Sequence, residues 1–157
     1  MEIHSYSPVT TEAIGRELGK MLGSGDFVSL TGDLGAGKTL FVHGIASGLA
    51  VKGPVSSPSF LIIQEYQGRY PIFHCDFYRL GSYQELEDIG WEEYFNRGGI
   101  ILVEWGDLIP EALPVDYLKI EISQVGRENG RLLRFIPHGK HYEAVIEELA
   151  IKCESWA

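Results

Sequence analysis

The 157-residue sequence predicts an α/β fold, a mostly parallel sheet covered by helices, and three observations carry that prediction. Strand-like and helix-like segments alternate along the chain. Ile100-Ile101-Leu102-Val103 is apolar at every position, as a strand buried on both faces requires. A glycine-rich turn joins the strand-like run Phe27-Val28-Ser29-Leu30-Thr31 to a helical stretch.

The elements follow in order. Thr10 or Thr11 is positioned to cap a peripheral amphipathic helix reaching about Leu22, with Ile14, Leu18, Met21 and Leu22 at helical spacing and Gly23-Ser24-Gly25 ending it. The strand at Phe27 to Thr31 gives way at Gly32 to the turn, and Thr39 to Leu49 reads as the next helix. Gly53 to Pro58 is a loop. Phe60 to Tyr66 and Tyr70 to His74 read as two strands of a β-hairpin turning at Gln67-Gly68-Arg69, which makes the sheet mixed. Ser82 caps Tyr83 to Asp88, and a second short helix covers Trp91 to Phe95. After Ile100 to Val103 come strands at Tyr117 to Ile122 and Arg131 to Ile136. A last amphipathic helix spans about His141 to Cys153, with Val145, Ile146, Leu149 and Ala150 inward.

Length and composition bound the rest. One domain over residues 1–157 is expected from the length, and 45% hydrophobic residues with 11% aromatic ones supply a core. Thirteen Lys and Arg against 22 Asp and Glu give a formal charge of -9, which works against extended contact with a phosphodiester backbone. Cys75 and Cys153 lie far apart and lack zinc spacing, as reduced thiols of a cytoplasmic protein would. Neither a basic, apolar leader nor a membrane-length apolar run is present in the sequence.

The chemistry concentrates at Gly32-Asp33-Leu34-Gly35-Ala36-Gly37-Lys38-Thr39, which matches G-x-x-x-x-G-K-S/T between a strand and a helix. Glycines let the backbone wrap an anion with its N–H groups pointing inward, and the helix N-terminus adds partial positive charge. The fold expected is therefore P-loop NTPase-like. Asp33, Leu34, Gly35, Ala36 and Gly37 form the cradle, Lys38 meets the β- and γ-phosphates, Thr39 offers a hydroxyl to magnesium, and Leu40 follows in the first helical turn. Glu104, ending the buried strand, is the expected acidic partner that holds magnesium or orients water, although Asp is commoner there. Trp105 either packs on the nucleotide or serves the core. The guanine-reading N-K-x-D motif is absent from the sequence, which favours ATP over GTP.

Four stretches in one order, Gly32 to Thr39, Ser57-Pro58-Ser59-Phe60, His74-Cys75-Asp76-Phe77-Tyr78-Arg79-Leu80 and Val103-Glu104-Trp105, resemble the TsaE (YjeE) family. Those proteins are P-loop ATPases needed to make threonylcarbamoyladenosine in bacterial tRNA. The likeness covers roughly Thr10 to Pro114, with a looser fit at Gly130-Arg131. It implies an ATP and magnesium site, with Asp76 and Glu104 as paired carboxylates around the metal and the attacking water. It also implies a switch-like segment at Ser59, and work within an assembly with TsaB and TsaD proteins in which tRNA is met only indirectly. Two departures stand out: Ser59 replaces the usual Thr, and Leu40 replaces a common second Thr. His74 reads more readily as a hydrogen-bonded core residue than as a catalytic one, and Arg79 as an ion-pair partner or a contact to phosphate or partner.

Two other functions fit a phosphate loop. A small-molecule kinase would need an acceptor pocket and several arginines over the phosphates, whereas the seven arginines here are scattered and no lid-like insertion is seen. A nucleotide-gated binding module would use ATP only to fix a conformation. Against that module stands the conjunction of Lys38, Thr39, Asp76 and Glu104, which suits hydrolysis.

Overall fold

The computed structural model describes residues 1–33, 37–55, 63–126 and 128–154. The chain opens with a strand that the sequence reading did not anticipate, β1 (Glu2–Ser5), and turns at once into helix α1 (Pro8–Met21). The helix is capped by Ser7, whose Oγ accepts from Thr10 N at 3.1 Å, with Pro8 in the first turn where its missing N–H costs nothing. This corrects the expected cap at Thr10 or Thr11. Thr11 is instead buried and shares a 2.7 Å hydrogen bond with Ser5, tying β1 to α1.

Strand β2 (Phe27–Thr31) leads through the glycine turn to α2 (Lys38–Gly48). An antiparallel hairpin follows, β3 (Ile63–Gln67) and β4 (Pro71–Asp76), its predicted beginning at Phe60 falling outside the described residues. Short helices α3 (Tyr83–Asp88) and α4 (Trp91–Tyr94) precede β5 (Ile100–Glu104). Two 3-10 turns lead to β6 (Tyr117–Gln124), β7 (Arg131–His138) and α5 (Lys140–Cys153).

These strands make one mixed seven-stranded sheet in the order β1-β7-β6-β2-β5-β4-β3. Its centre is parallel: β2 lies between β5 and β6, and β4 runs beside β5. Antiparallel pairs close both flanks. Because side chains alternate along a strand, each central strand feeds two cores. Val28, Leu30, Ile72, Leu102 and Ile120 pack beneath α1, α2 and α5, whereas Phe27, Phe73, Cys75, Ile101 and Val103 pack with Phe77, Leu86 and Trp91 on the other face. Both cysteines are free and buried, and burial pushes both thiols up. Ala150, expected inward, is only half-buried.

Helix α1 is far from peripheral. Ile14 and Leu18 are fully buried, and Gly15 and Gly19 meet Gly44 and Gly48 of α2 backbone to backbone. A Cβ on Gly44 would stand 2.2 Å from the Glu12 carbonyl oxygen, and one on Gly48 2.1 Å from that of Arg16. Arg69, in the hairpin turn, donates to the carbonyls of Gly48 at 2.7 Å and Gly19 at 3.2 Å, so one guanidinium caps the C-terminal ends of both helices.

Gly44→Ala therefore has to push the helices apart. Overpacking of this kind costs about 1–3 kcal/mol, against at most ~1 kcal/mol that alanine gains in helix propensity. The expected result is a lower thermal midpoint by circular dichroism; an unchanged or raised midpoint would show that the two helices separate freely.

Candidate functional site

The site is assembled where the parallel strands end. Residues 34–36, which include Leu34, Gly35 and Ala36 of the predicted cradle, and Ser59 lie outside the described residues. The remaining members are placed by β2, α2, β4 and β5. Gly37 sits at the N-cap of α2 with φ 107°, a left-handed value that favours a residue without a Cβ. It turns the chain so that Lys38 and Thr39 open the helix. Thr39 and Asp33 are exposed, while Lys38 is buried.

The Lys38 ammonium folds back over its own turn, donating to Gly32 O and, at 3.0 Å, to Asp33 O. Its Nζ also lies 4.3 Å from the centroid of the Trp105 ring, a cation–π contact. Burial holds its pKa below the ordinary lysine value, opposed by the negative charges of Glu104, Asp76 and Asp33. Of the two expectations for Trp105, the structure shows the core role and adds a contact to the site lysine. The indole packs against the second core, with its ring 5.1 Å from that of Tyr78.

Strand alternation explains the acidic half. In β4, Ile72, His74 and Asp76 share the face turned to α2; in β5, Ile100, Leu102 and Glu104 do. Asp76 and Glu104 are register partners at the carboxyl ends of adjacent parallel strands. Asp76 is half-buried and accepts from Tyr78 N at 2.9 Å, whereas Glu104 is 3% exposed. Burial pushes the Asp76 carboxyl above the usual range, partly offset by the Tyr78 N–H. His74, read from sequence as a core residue, is wholly buried, yet its Nε2 lies 2.6 Å from Glu104 Oε2. Its i, i+2 spacing from Asp76 was the signal that it belongs on the site face.

Leu40, expected in the first helical turn after the loop, is there and half-buried. With Gly37, Pro8, Thr11, Asn129 and Arg131 it lines a small cleft of about 40 Å³. Asn129 also lines a larger cleft of about 610 Å³ with Tyr6 and the β6–β7 turn residues Val125 and Gly126. Arg79 is exposed. No helix among the described residues is long and apolar enough to cross a membrane.

The raised Asp76 pKa has a testable consequence. An acid whose folded pKa lies above its unfolded value loses stability as pH rises through the folded pKa, and loses none below the unfolded one, near 3.9. Asp76→Asn keeps the oxygen that accepts from Tyr78 and cannot ionise. In thermal melts without nucleotide or metal it is expected to melt above the parent at pH 7, the gap closing as pH approaches 4. A lower midpoint at pH 7 would contradict this.

Comparison with known proteins places this arrangement. The family model described as "Threonylcarbamoyl adenosine biosynthesis protein TsaE" matches residues 5–132. A protein of Bacillus subtilis named tRNA threonylcarbamoyladenosine biosynthesis protein TsaE is 43% identical over 147 residues, spanning 93% of this chain and 91% of that protein. Its namesake in Treponema pallidum is 39% identical over 114 residues, spanning 73% and 84%. The crystal structure of Bacillus subtilis YdiB superposes with a TM-score of 0.84 at 38% identity, over 97% of this chain and 95% of that one. With the match running from the end of β1 into β7 across every element that builds the site, the chain belongs to the TsaE family.

Proposed function

We propose that the protein binds and hydrolyses magnesium ATP as the ATPase component of the tRNA threonylcarbamoyladenosine machinery, acting with TsaB and TsaD proteins to sustain threonylcarbamoyl transfer to tRNA. The family's name supports the pathway. The observation that carries the ATPase reading is the in-register pair Asp76 and Glu104 at the strand ends, within electrostatic reach of Lys38 at the head of α2.

The donor set suits magnesium. Thr39, Asp76 and Glu104 offer hard oxygens, the kind that ion selects. Among the described residues no group of three or more His, Cys, Asp and Glu converges as a metal cage. Magnesium held by one or two carboxylates and substrate phosphates needs none. When bound, the ion neutralises charge on the β- and γ-phosphates. Lys38 would exchange its two carbonyls and the Trp105 face for phosphate oxygens, regaining the charge partner that burial denies it. Gly37 and the N-terminal turn of α2 would donate backbone N–H groups, joined by residues 33–36 of the turn. Glu104 or Asp76 would orient the attacking water. The larger cleft beside Tyr6 and Asn129 has room for the base, and Leu40 lines the small cleft that shares Asn129 with it.

The acidic surface supports the rest of the reading. A chain of charge -9 is a poor ligand for tRNA and would dock on protein instead. The cytoplasm, where tRNA is modified, is the setting this role requires.

Phosphate release from magnesium ATP, measured for the chain alone and with TsaB and TsaD proteins, tests the proposal. Lys38→Ala is expected to be inactive. Glu104→Ala should retain ATP binding while losing turnover by roughly 10²–10⁴-fold. Partner-dependent stimulation of the parent supports the assembly role; equal rates with and without partners would remove it. Phosphate appearing on a metabolite rather than free would make the chain a kinase, and full tRNA modification by Glu104→Ala would make ATP a gate.

A further inference from the structure

The buried pair His74 and Glu104 has a consequence beyond packing. Their side chains are 0% and 4% exposed and meet at 2.6 Å between Nε2 and Oε2. An ionised carboxylate offers only lone pairs, so the ring nitrogen that meets it carries the hydrogen. On the other side of the ring, the Tyr66 hydroxyl lies 3.5 Å from His74 Nδ1 and donates to Gln64 Oε1 at 2.8 Å. Tyr66 and Gln64 belong to β3, the edge strand of the sheet. The ring thus lies between the Tyr66 side chain and the Glu104 carboxylate.

Glu104 needs such a hold. It is one methylene longer than the Asp common at this position, and a glutamate has up to about 2 kcal/mol of side-chain conformational entropy to lose on being fixed. Its neighbours in β5 are aliphatic, and Leu102, its predecessor on the same face, offers no polar group. His74 is the diagonal neighbour on β4, two residues before Asp76, and the strand register brings its Nε2 to the carboxylate.

We infer that His74 is a positioning residue for Glu104, fixing one carboxylate oxygen so that the other faces the reacting water. This rests on the ATPase reading proposed above. The imidazole touches neither nucleotide nor water in this role and transfers no proton. It sets where an oxygen points, which matters because misplacing a water-orienting group by about 1 Å costs on the order of 10²-fold in rate.

Three variants and one spectrum test the inference on the full chain. His74→Leu removes the donor at similar bulk. It is expected to lower kcat for ATP by about tenfold or more and to leave KM within about twofold. His74→Gln returns an N–H at the reach of Nε2 and should recover much of the loss. Unchanged kcat in His74→Leu, equal impairment of His74→Leu and His74→Gln, or a KM that rises in step would each overturn the role. Should His74→Leu fail to fold, the spectrum of the parent and of Glu104→Ala decides. In ¹⁵N-histidine-labelled protein without nucleotide, the His74 Nε2 proton should be visible and far downfield, and lost or moved upfield in Glu104→Ala. Its absence from the parent overturns the pairing without reference to turnover. A clear signal in a parent that releases no phosphate with any partner would instead overturn the ATPase reading, leaving the pair a purely structural bond.

Discussion

Backbone-to-backbone contact between α1 and α2 is the constraint on which the site's geometry depends, because it decides where the first turn of α2 can sit above the strand ends. Four glycines, two on each helix and four residues apart on each, let carbonyl oxygens of one helix approach Cα atoms of the other at distances no side chain permits. Such packing fixes both separation and axial register. Arg69 then ties the far ends of both helices to the hairpin turn, so the sheet that carries Asp76 and the helix that carries Lys38 are referenced to one another. At the other end of β2, Asp26 accepts from His141 at 2.7 Å, and the Tyr142 hydroxyl accepts from Phe27 N at 2.9 Å. The strand that feeds the glycine turn is therefore held at its start by α5 and flanked along its length by β5 and β6.

What could be read from the sequence was local. The phosphate turn was legible because its residues are contiguous and each has a reason to be where it is. The strand Ile100 to Val103 was legible because only burial on both faces tolerates four aliphatics in a row. Glu104 and Asp76 were named as a pair through resemblance, and the strand register places them side by side. The parts not read depend on distant partners. β1 is four residues long with an exposed Glu2, and becomes a strand only because β7, some 130 residues later, offers its edge. The helix cap was misplaced by weighing Thr10 and Thr11 above Ser7-Pro8, although a proline in the first turn after a serine is the stronger start signal. The glycines of the phosphate turn were legible, whereas the helix-contact role of Gly15, Gly19, Gly44 and Gly48 was not read, although their i, i+4 spacing was the available clue.

Electrostatics links this architecture to the proposed chemistry. Burial disfavours the charged forms of both Lys38 and Asp76, lowering one pKa and raising the other, even though the two have opposite signs and feel one another. Among the described residues neither is matched by a close partner of opposite charge: Lys38 rests on neutral carbonyls and an aromatic face, and Asp76 on a backbone N–H. A phosphate chain carrying a divalent cation is the ligand that would satisfy both at once, which is how a site can be costly when empty and stable when filled.

Trp105 shows the same logic in the backbone. It is a bulky residue with φ 62°, a left-handed conformation that costs of order 1–3 kcal/mol for a side chain of this kind. The strain is retained because two opposing demands meet at that residue. Its N–H must still bond Leu30 O at 2.9 Å, completing the parallel ladder next to the phosphate turn. Its ring must leave the strand direction to lie against Lys38 and Tyr78. An extended residue would satisfy the first demand while sending its side chain along the pleat. The turn to positive φ releases the chain into the 3-10 turn at Gly106–Leu108 and swings the indole over the lysine. Strain at the residue following Glu104 is thus what lets one strand end carry a carboxylate and also lay an aromatic face on the Lys38 ammonium.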